Sequence, residues 1–138
     1  MGDQVADNVI RVTRFHTTSD GGSTFDEVDI PVENESIDKW GNLLRTSIRF
    51  DSSGVQVFEA PEGGFQDWHN APRRQLCIVM SGIWEIGTTD GEIRRWGPGE
   101  AFLPDDVEGI GHTSRVVEGP VRILFVPLGE RSFVNLED

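Results

Sequence analysis

One stretch of the sequence, between positions 69 and 77, alternates side chains in a way that could line a cavity. Side chains alternate between the two faces of a β-strand, so an extended chain puts His69, Ala71, Arg73, Gln75 and Cys77 on one face. A buried wall avoids Arg and Gln unless they have partners. We therefore predict that this face lines a cavity, in which a neutral imidazole would be the best general acid or base at pH 7.

The Arg73 guanidinium and the Cys77 thiol each have two interpretations. Arg73 could clamp a carboxylate or an enolate oxygen, because its fork matches two oxygens. It could instead form an internal salt bridge with Glu59, Glu85 or Glu108. Cys77 could be a nucleophile, but no second Cys or assigned base accompanies it. We expect Cys77 to be a small buried residue in the cavity wall.

The elements that would position these side chains are short β-strands. Runs of branched and aromatic residues recur at close spacing, separated by turn signals of which Asp90-Gly91 predicts a hairpin. Helical periodicity is weak, and its best candidate, residues 36–44, is interrupted by Gly41. Many short strands indicate an all-β sandwich or barrel. The predicted strands are residues 9–15, 43–50, 55–59, 75–80, 83–87, 92–96, 100–103, 114–117 and 121–126.

The composition fits one globular domain, residues 1–138. Hydrophobic residues make up 36% of the 138, and eight Phe and four Trp supply bulky groups for a core. A formal net charge of −12, with a single Lys, argues against nucleic acids and anionic membranes as partners. No run approaches the ~20 apolar residues of a spanning helix, and the first residues lack the pattern of a secretory signal. One Cys cannot form an intramolecular disulfide, so we expect a cytoplasmic protein.

The stretch around His69 resembles the first motif of the cupin superfamily, which runs from a Gly through His-x-His and Glu to a second Gly. Here Gly63-Gly64 precedes His69, Gln75 stands at the Glu position, and Gly82 closes the motif. Ala71 stands where the motif has its second His. The resemblance therefore includes the spacing but only part of the ligand set.

The second cupin motif is similar to Gly97-Pro-Gly99-Glu100 followed by Phe102-Leu-Pro104, with His112 at the third His position after a lengthened loop. Residues 14–23, 69–75 and 109–112 look closer still to small single-domain cupins of the cupin 2-like kind. The resemblance implies a double-stranded β-helix, or jelly-roll barrel, that forms a homodimer through its N-terminal strand, residues 9–15.

The resemblance also implies a metal site. A complete cupin site offers three His and one Glu, whereas this chain keeps His69 and His112 and has Gln75 in place of Glu. A neutral amide is a weaker ligand than a carboxylate. The expectation is either one divalent transition metal (Zn, Fe, Mn or Ni) on His69, Gln75 and His112, or a metal-free site.

The expected function is that of a small-molecule enzyme acting on an apolar or aromatic, oxygen-containing substrate in the barrel. Its chemistry would be metal-assisted or His-mediated acid–base catalysis of the isomerase, dehydratase, cyclase or lyase type. The alternatives are a non-catalytic ligand-binding module, a metal-dependent dioxygenase and a purely structural subunit without a cavity. The predicted site residues are His69, His112 and Arg73 for catalysis and Trp68, Gln75 and Cys77 for substrate contact.

An acidic loop, residues 105–108, precedes His112 and has two interpretations. Asp105, Asp106 or Glu108 could orient the His112 imidazole or act as a base. The same charges could instead be solvated on a surface loop.

Overall fold

The structure is a computed structural model that describes residues 8–134. Within those residues the chain forms ten β-strands and no helix, which confirms the predicted all-β class. No described segment is a helix long and apolar enough to cross a membrane. The strands are β1 (Val9–Thr17), β2 (Ser23–Pro31), β3 (Asn34–Ile37), β4 (Leu43–Thr46), β5 (Gln56–Ala60), β6 (Phe65–His69), β7 (Gln75–Gly87), β8 (Ile93–Trp96), β9 (Ala101–Asp105) and β10 (His112–Pro127).

Two long antiparallel strands, β7 and β10, form the spine of the fold. The start of β7 pairs with the end of β10, as in Val79 opposite Ile123, and the end of β7 pairs with the start of β10, as in Trp84 opposite Val116. The register shifts between these two pairings. Such irregularities bend strands, so β7 and β10 each contribute to both walls of the barrel. The sequence had predicted each of them as two shorter strands.

The remaining strands extend the two halves of this spine. One half has the order β2-β1-β9-β7-β10-β5, in which β1 and β9 are parallel. On the other half, β8 pairs with β7 and β6 pairs with β10. Strands distant in sequence thus lie side by side, as in a jelly roll. This order brings β6 and β10, which carry His69 and His112, next to each other.

Apolar side chains form two separate cores because strand residues alternate between faces. Phe102 and Leu103 are neighbours in β9, yet Phe102 belongs to the cluster inside the barrel and Leu103 to a second cluster. The second cluster is covered by Phe133 and Val134, which follow β10. Burying each of these large side chains contributes roughly 1.5–3 kcal/mol.

The weak helical pattern over residues 36–44 does not form a helix. The segment is a hairpin of β3 and β4, with Ser36 opposite Leu44. The Asp38 carboxylate accepts hydrogen bonds from the backbone N–H groups of Trp40 and Asn42, both at 2.9 Å. Local side-chain to backbone bonds of this kind favour a turn over a helix.

Strands β2, β3 and β6 were not predicted, and β2 shows why. Its acidic residues obscure the apolar pattern, and they find their cations on other strands: Arg11 Nε of β1 lies 3.0 Å from Asp29, and Arg14 Nη2 of β1 lies 2.6 Å from Asp26. Strand β1 pairs with β2 and β9 within the chain. A homodimer formed through β1 stays a prediction.

Candidate functional site

The interior of the barrel contains a cavity with a volume of about 180 Å³. Most of its lining is apolar, and its polar groups are imidazole and amide side chains. Among the described residues, the lining includes no Asp, Glu, Lys or Arg. The lining residues are Phe15, Phe58, Gln66, His69, Asn70, Ala71, Pro72, Gln75, Cys77, Trp84, Phe102, Pro104, His112, Ile123 and Phe125.

Two histidines that are 43 positions apart meet in this lining. His69 ends β6 and His112 begins β10, and the two residues stand opposite each other in the pairing of these strands. Their ring centroids are 4.4 Å apart, with an angle of 54° between the ring planes. The edge of Phe15 supports the His112 ring at 4.8 Å. The structure therefore brings together the two imidazoles that the sequence analysis selected.

Hydrogen bonds fix the orientation of both imidazoles. His112 Nδ1 lies 2.5 Å from Asp106 Oδ2, and His69 Nδ1 lies 2.7 Å from the backbone oxygen of Asp67. Both partners are acceptors, so each Nδ1 carries the proton and donates it. In the neutral form of each ring, the other nitrogen, Nε2, is then the one without a proton. The site thus presents two imidazole lone pairs that can accept a proton or bind a metal.

Asp106 is the site residue whose role the sequence left open. Its side chain is fully buried, and its backbone oxygen accepts hydrogen bonds from the Ala71 N–H and the Asn70 amide, both at 3.3 Å. Within the described residues, Asp106 Oδ1 has no hydrogen-bond partner. Of the two interpretations of the acidic loop, orientation of the imidazole therefore applies to Asp106, whereas Glu108 is exposed.

A glycine without a side chain allows the loop before His112 to reach this position. Gly111 has a φ of +88°, and a Cβ at Gly111 would overlap the backbone oxygen of His69. The Ser23 hydroxyl donates a 2.7 Å hydrogen bond to the Gly111 oxygen. Close approach of the two backbones therefore places His112 beside His69, and the only signal for it in the sequence was the pair of glycines at 109 and 111.

Gln75 and Cys77 lie in the cavity wall, as the alternation of the strand predicted. Gln75 is 6% exposed and Cys77 is 1% exposed, and both line the cavity. Burial raises the pKa of the Cys77 thiol well above its ordinary value. Cys77 is therefore a neutral wall residue, and its predicted contact with substrate stays a prediction.

Arg73 lies outside the cavity lining and is exposed, which corrects the face predicted for it. Strand β7 begins only at Gln75, and the chain bends at residues 72–73, so the alternation does not continue back through Arg73. The ion pairs considered for Arg73 are also made by other residues. Glu85 binds Arg95 and Arg115, and Glu59 binds Arg122.

Trp68 is likewise absent from the lining and is 47% exposed. It was predicted to contact substrate, and it belongs to β6 next to His69. Adjacent strand residues face opposite sides, so Trp68 faces away when His69 faces the cavity. The Arg74 guanidinium belongs to a group of ion pairs outside the cavity, where its Nε lies 3.0 Å from Asp105 Oδ1. We call this group the outer ionic cluster; its members are Arg14, His16, Asp26, Arg74 and Asp105.

Several lining residues escaped the sequence analysis because their strands had no chemical signature. Phe58 stacks on Phe125 at 5.3 Å, with 18° between the ring planes, and meets the Trp84 ring edge-on at 5.7 Å. Gln66 accepts a 2.7 Å hydrogen bond from the Ser114 hydroxyl. These side chains come from β5, β6, β7 and β10, and only the pairing of those strands brings them to one cavity.

The donor set can be compared with what a metal ion requires. A metal-bound His binds through one nitrogen at about 2.0–2.1 Å and donates its other N–H to a carboxylate or carbonyl. His69 and His112 both have such an acceptor at Nδ1. In the part of the chain that the structure describes, no three His, Cys, Asp or Glu residues form a metal-binding group. The three predicted ligands share only the cavity lining, so the set available to a divalent ion is at most two imidazole nitrogens and one amide oxygen, weaker than a complete cupin site.

Comparisons with known proteins bear on the fold. No protein-family model matches the chain, and no curated protein sequence matches it. Among solved structures, the chain is similar to SPY1581, a conserved protein of unknown function from Streptococcus pyogenes. The identity is 27%, with 62% of this chain and 73% of that chain covered and a TM-score of 0.45.

Two further solved structures have the same likeness at lower identity. An RmlC-like cupin from Shewanella frigidimarina is 17% identical, with 55% of this chain and 66% of that chain covered and a TM-score of 0.43. The DMSP lyase DddQ from Ruegeria pomeroyi is 18% identical, with 94% of this chain and 51% of that chain covered and a TM-score of 0.48. These values leave the activity of the present chain open. The chain itself has the features of the cupin fold. They are a jelly-roll strand order, a spine of two bent strands, β7 and β10, and a cavity between the two halves of the sheet.

Proposed function

We propose that the chain is a small-molecule enzyme of the cupin type that moves a proton on an apolar or aromatic, oxygen-containing substrate bound in the cavity. One observation carries the proposal. His69 and His112 line an otherwise apolar cavity, and an acceptor at each Nδ1 leaves each Nε2 for the substrate. The corresponding reaction classes are isomerase, dehydratase, cyclase and lyase.

The proposed step is removal of a proton from a carbon next to a carbonyl group. The C–H bond breaks, its electron pair forms an enolate, and the proton goes to Nε2 of His112. Asp106 holds the ring and lies beside the positive charge that develops on it. The Gln75 amide would donate a hydrogen bond to the enolate oxygen. Return of the proton to another carbon is an isomerisation, and departure of a leaving group from the next carbon is an elimination.

His69 would serve as the second base of the pair. Its ring lies 4.4 Å from that of His112, so the two imidazoles can contact neighbouring carbons of one small substrate. The same two rings and Gln75 would hold a divalent metal, which when bound would supply Lewis-acid polarisation of a substrate oxygen. Arg73 is no longer part of the proposed catalytic set, because it is exposed outside the cavity lining.

The test is hydrogen–deuterium exchange at the carbon next to the carbonyl, measured by NMR in D₂O with acetophenone and cyclohexanone as probes. The wild type should accelerate exchange, and His112→Ala and His69→Ala should each lower the rate by ~10²-fold or more. His16→Ala is the matched control, since His16 lies outside the lining and pairs with Asp26 at 3.3 Å. Exchange that survives in both cavity variants would contradict the proposal.

A non-catalytic binding module is the second candidate. The apolar lining and the incomplete metal-ligand set of the described residues favour it. A binding module would bind acetophenone without accelerating exchange, and the histidine variants would keep most of the affinity. The metal-dependent dioxygenase has the least support, because it needs a firmly held redox metal on the same weak donor set.

We also propose a reducing location such as the cytoplasm. Cys77, the single cysteine, is a free and buried thiol, and free thiols are typical of reducing compartments. The net charge of −12 supports a small molecule, rather than a nucleic acid or an anionic membrane, as the partner.

A further inference from the structure

We infer that the cavity selects an uncharged compound with one ring and a carbonyl or hydroxyl oxygen, and rejects the carboxylate analogue of the same size. This inference deepens the proposed function, because it names the substrate class of the same site. It concerns binding, so it can be tested without any turnover. Three features of the cavity support it: its lack of charge, its size and the amide groups that it presents.

The cavity provides no counter-ion for an anion. Every side chain that lines it within residues 8–134 is apolar, an amide or an imidazole. Three guanidinium groups are engaged by carboxylates: Arg14 and Arg74 bind Asp105, and Arg115 binds Glu85. Arg73, which follows the lining residue Pro72, is exposed outside the lining. Transfer of an unpaired carboxylate into such a cavity would lose its hydration without compensation.

A negative charge lies directly behind the lining. Asp106 is fully buried, holds His112 through Oδ2, and has no hydrogen-bond partner at Oδ1 among the described residues. A second carboxylate brought to the His112 ring would lie close to this one, and two like charges at short distance disfavour each other. Anions are therefore disfavoured by both desolvation and repulsion.

The size of the cavity restricts the ligand to one ring. Apolar cavities of about 150 Å³ accept benzene, and this cavity measures about 180 Å³. Flat walls are available, since Phe58 stacks on Phe125 and meets Trp84 edge-on. A six-membered ring with one short substituent fits this space, whereas a fused pair of rings exceeds it.

Two amides provide hydrogen bonds for a neutral oxygen. Gln66 Oε1 already accepts from Ser114, so its NH₂ group is the part left for a ligand. The Gln75 side chain is 6% exposed and lines the cavity. Amide donors on the lining favour a carbonyl or hydroxyl oxygen and disfavour ligands that leave them unpaired.

The experiment compares probes of matched size by isothermal titration calorimetry at pH 7.5. Acetophenone should bind at least about tenfold more tightly than benzoate and than the two-ring 2-acetonaphthone. Equal or tighter binding of benzoate would overturn the charge argument. Equal binding of 2-acetonaphthone would overturn the size argument, and absence of acetophenone binding at millimolar concentration would overturn the inference as a whole.

Variants locate the binding in this cavity. Cys77→Leu fills part of the space and should weaken acetophenone at least about tenfold, whereas Cys77→Ala, which enlarges it, should keep the affinity. If Cys77→Leu does not fold, Ala71→Val replaces it, since Ala71 also lines the cavity. Gln75→Leu should weaken acetophenone but not toluene. Unchanged binding in these variants would place the ligand elsewhere and contradict the inference.

Binding and exchange separate the two proposals. If acetophenone binds with the expected charge selectivity but its methyl group does not exchange, the ligand class holds and the enzyme proposal fails. If a carboxylate is the compound that binds and exchanges, the enzyme proposal holds and the ligand class fails.

Discussion

Two histidines of this protein lie beside an aspartate, and the two pairs differ in almost everything else. His112 donates to Asp106 at 2.5 Å, and the side chains are 7% and 0% exposed. His16 approaches Asp26 at 3.3 Å, with side chains 30% and 36% exposed. Arg14 also binds Asp26, at 2.6 Å. The first pair faces an apolar cavity, and the second belongs to a surface network of charges.

Two consecutive residues, Asp105 and Asp106, connect the surface network of charges with the cavity. Asp105 ends β9 and binds Arg14 and Arg74 in the outer ionic cluster, while the next residue, Asp106, binds His112 inside. Consecutive residues of an extended chain face opposite sides. The comparison shows that burial and the surrounding groups, and not the residue types alone, make a His–Asp pair reactive. In an exposed pair, solvent and salt screen the two charges, and the pair contributes little free energy.

The largest effect is expected from Gly111→Ala. A Cβ at this position would overlap the backbone of His69, and the φ of +88° already strains an L-residue. We expect the free energy of unfolding to fall by ~3 kcal/mol or more, measured by urea titration. The control is Gly21→Ala, with a φ of +87° and no atom within 4 Å of its Cβ, which should cost only ~1–2 kcal/mol. Equal losses in the two variants would show that close approach to His69 does not matter.

Asp106→Asn should affect catalysis most among substitutions that preserve the shape of the site. An amide can present a donor to His112 Nδ1 and so favour the wrong tautomer, and it removes the buried charge. We expect the exchange rate of acetophenone to fall ~10²-fold. Asp26→Asn, in the exposed pair, should leave that rate within about twofold. A large loss in Asp26→Asn would mean that the two pairs are coupled.

Glu85 extends the comparison to ion pairs. Its side chain is 12% exposed and binds Arg115 at 3.0 Å and Arg95 at 2.8 Å, and the Arg115 hydrogen bond is the largest cause that lowers the pKa of Glu85. The stabilisation is therefore present above the ordinary pKa of Glu and is lost as pH falls through the lowered pKa. Relative to Glu85→Gln, the wild type should lose ~1 kcal/mol of unfolding free energy between about pH 6 and pH 3.

The control for that titration is Glu59→Gln. Glu59 binds Arg122 at 2.8 Å, but the two side chains are 56% and 49% exposed. Its removal should change the free energy of unfolding by less than ~0.5 kcal/mol over the same pH range. A pH dependence as large as that of Glu85→Gln would contradict the role given to burial.

The smallest effect is expected from His16→Gln. This half-exposed residue lies outside the cavity lining. The substitution should change the free energy of unfolding by less than ~0.5 kcal/mol and should leave acetophenone binding, measured by calorimetry, unchanged. Weaker binding would extend the functional site to the outer ionic cluster.

Local features of this fold were accessible from the sequence because they depend on near neighbours. Asp90-Gly91 predicted the turn between β7 and β8, where the Thr88 N–H donates to the Glu92 oxygen at 3.0 Å. Alternation within β7 correctly placed Gln75 and Cys77 on the cavity face. It failed for Arg73, because a bend at residues 72–73 precedes the strand. The weak helical pattern over 36–44 gave way to a hairpin, since the Asp38 side chain makes a turn.

By itself the sequence determined the strand class, the turns and the residues of the β7 wall, because side-chain alternation and turn chemistry act over a few residues. The tertiary structure decided that His69 faces His112 and that Asp106, rather than Asp105, holds the ring. It also decided that Phe58 and Trp84 close the cavity. These relations depend on the register between strands far apart in the chain, and register is set by the packing of the whole barrel.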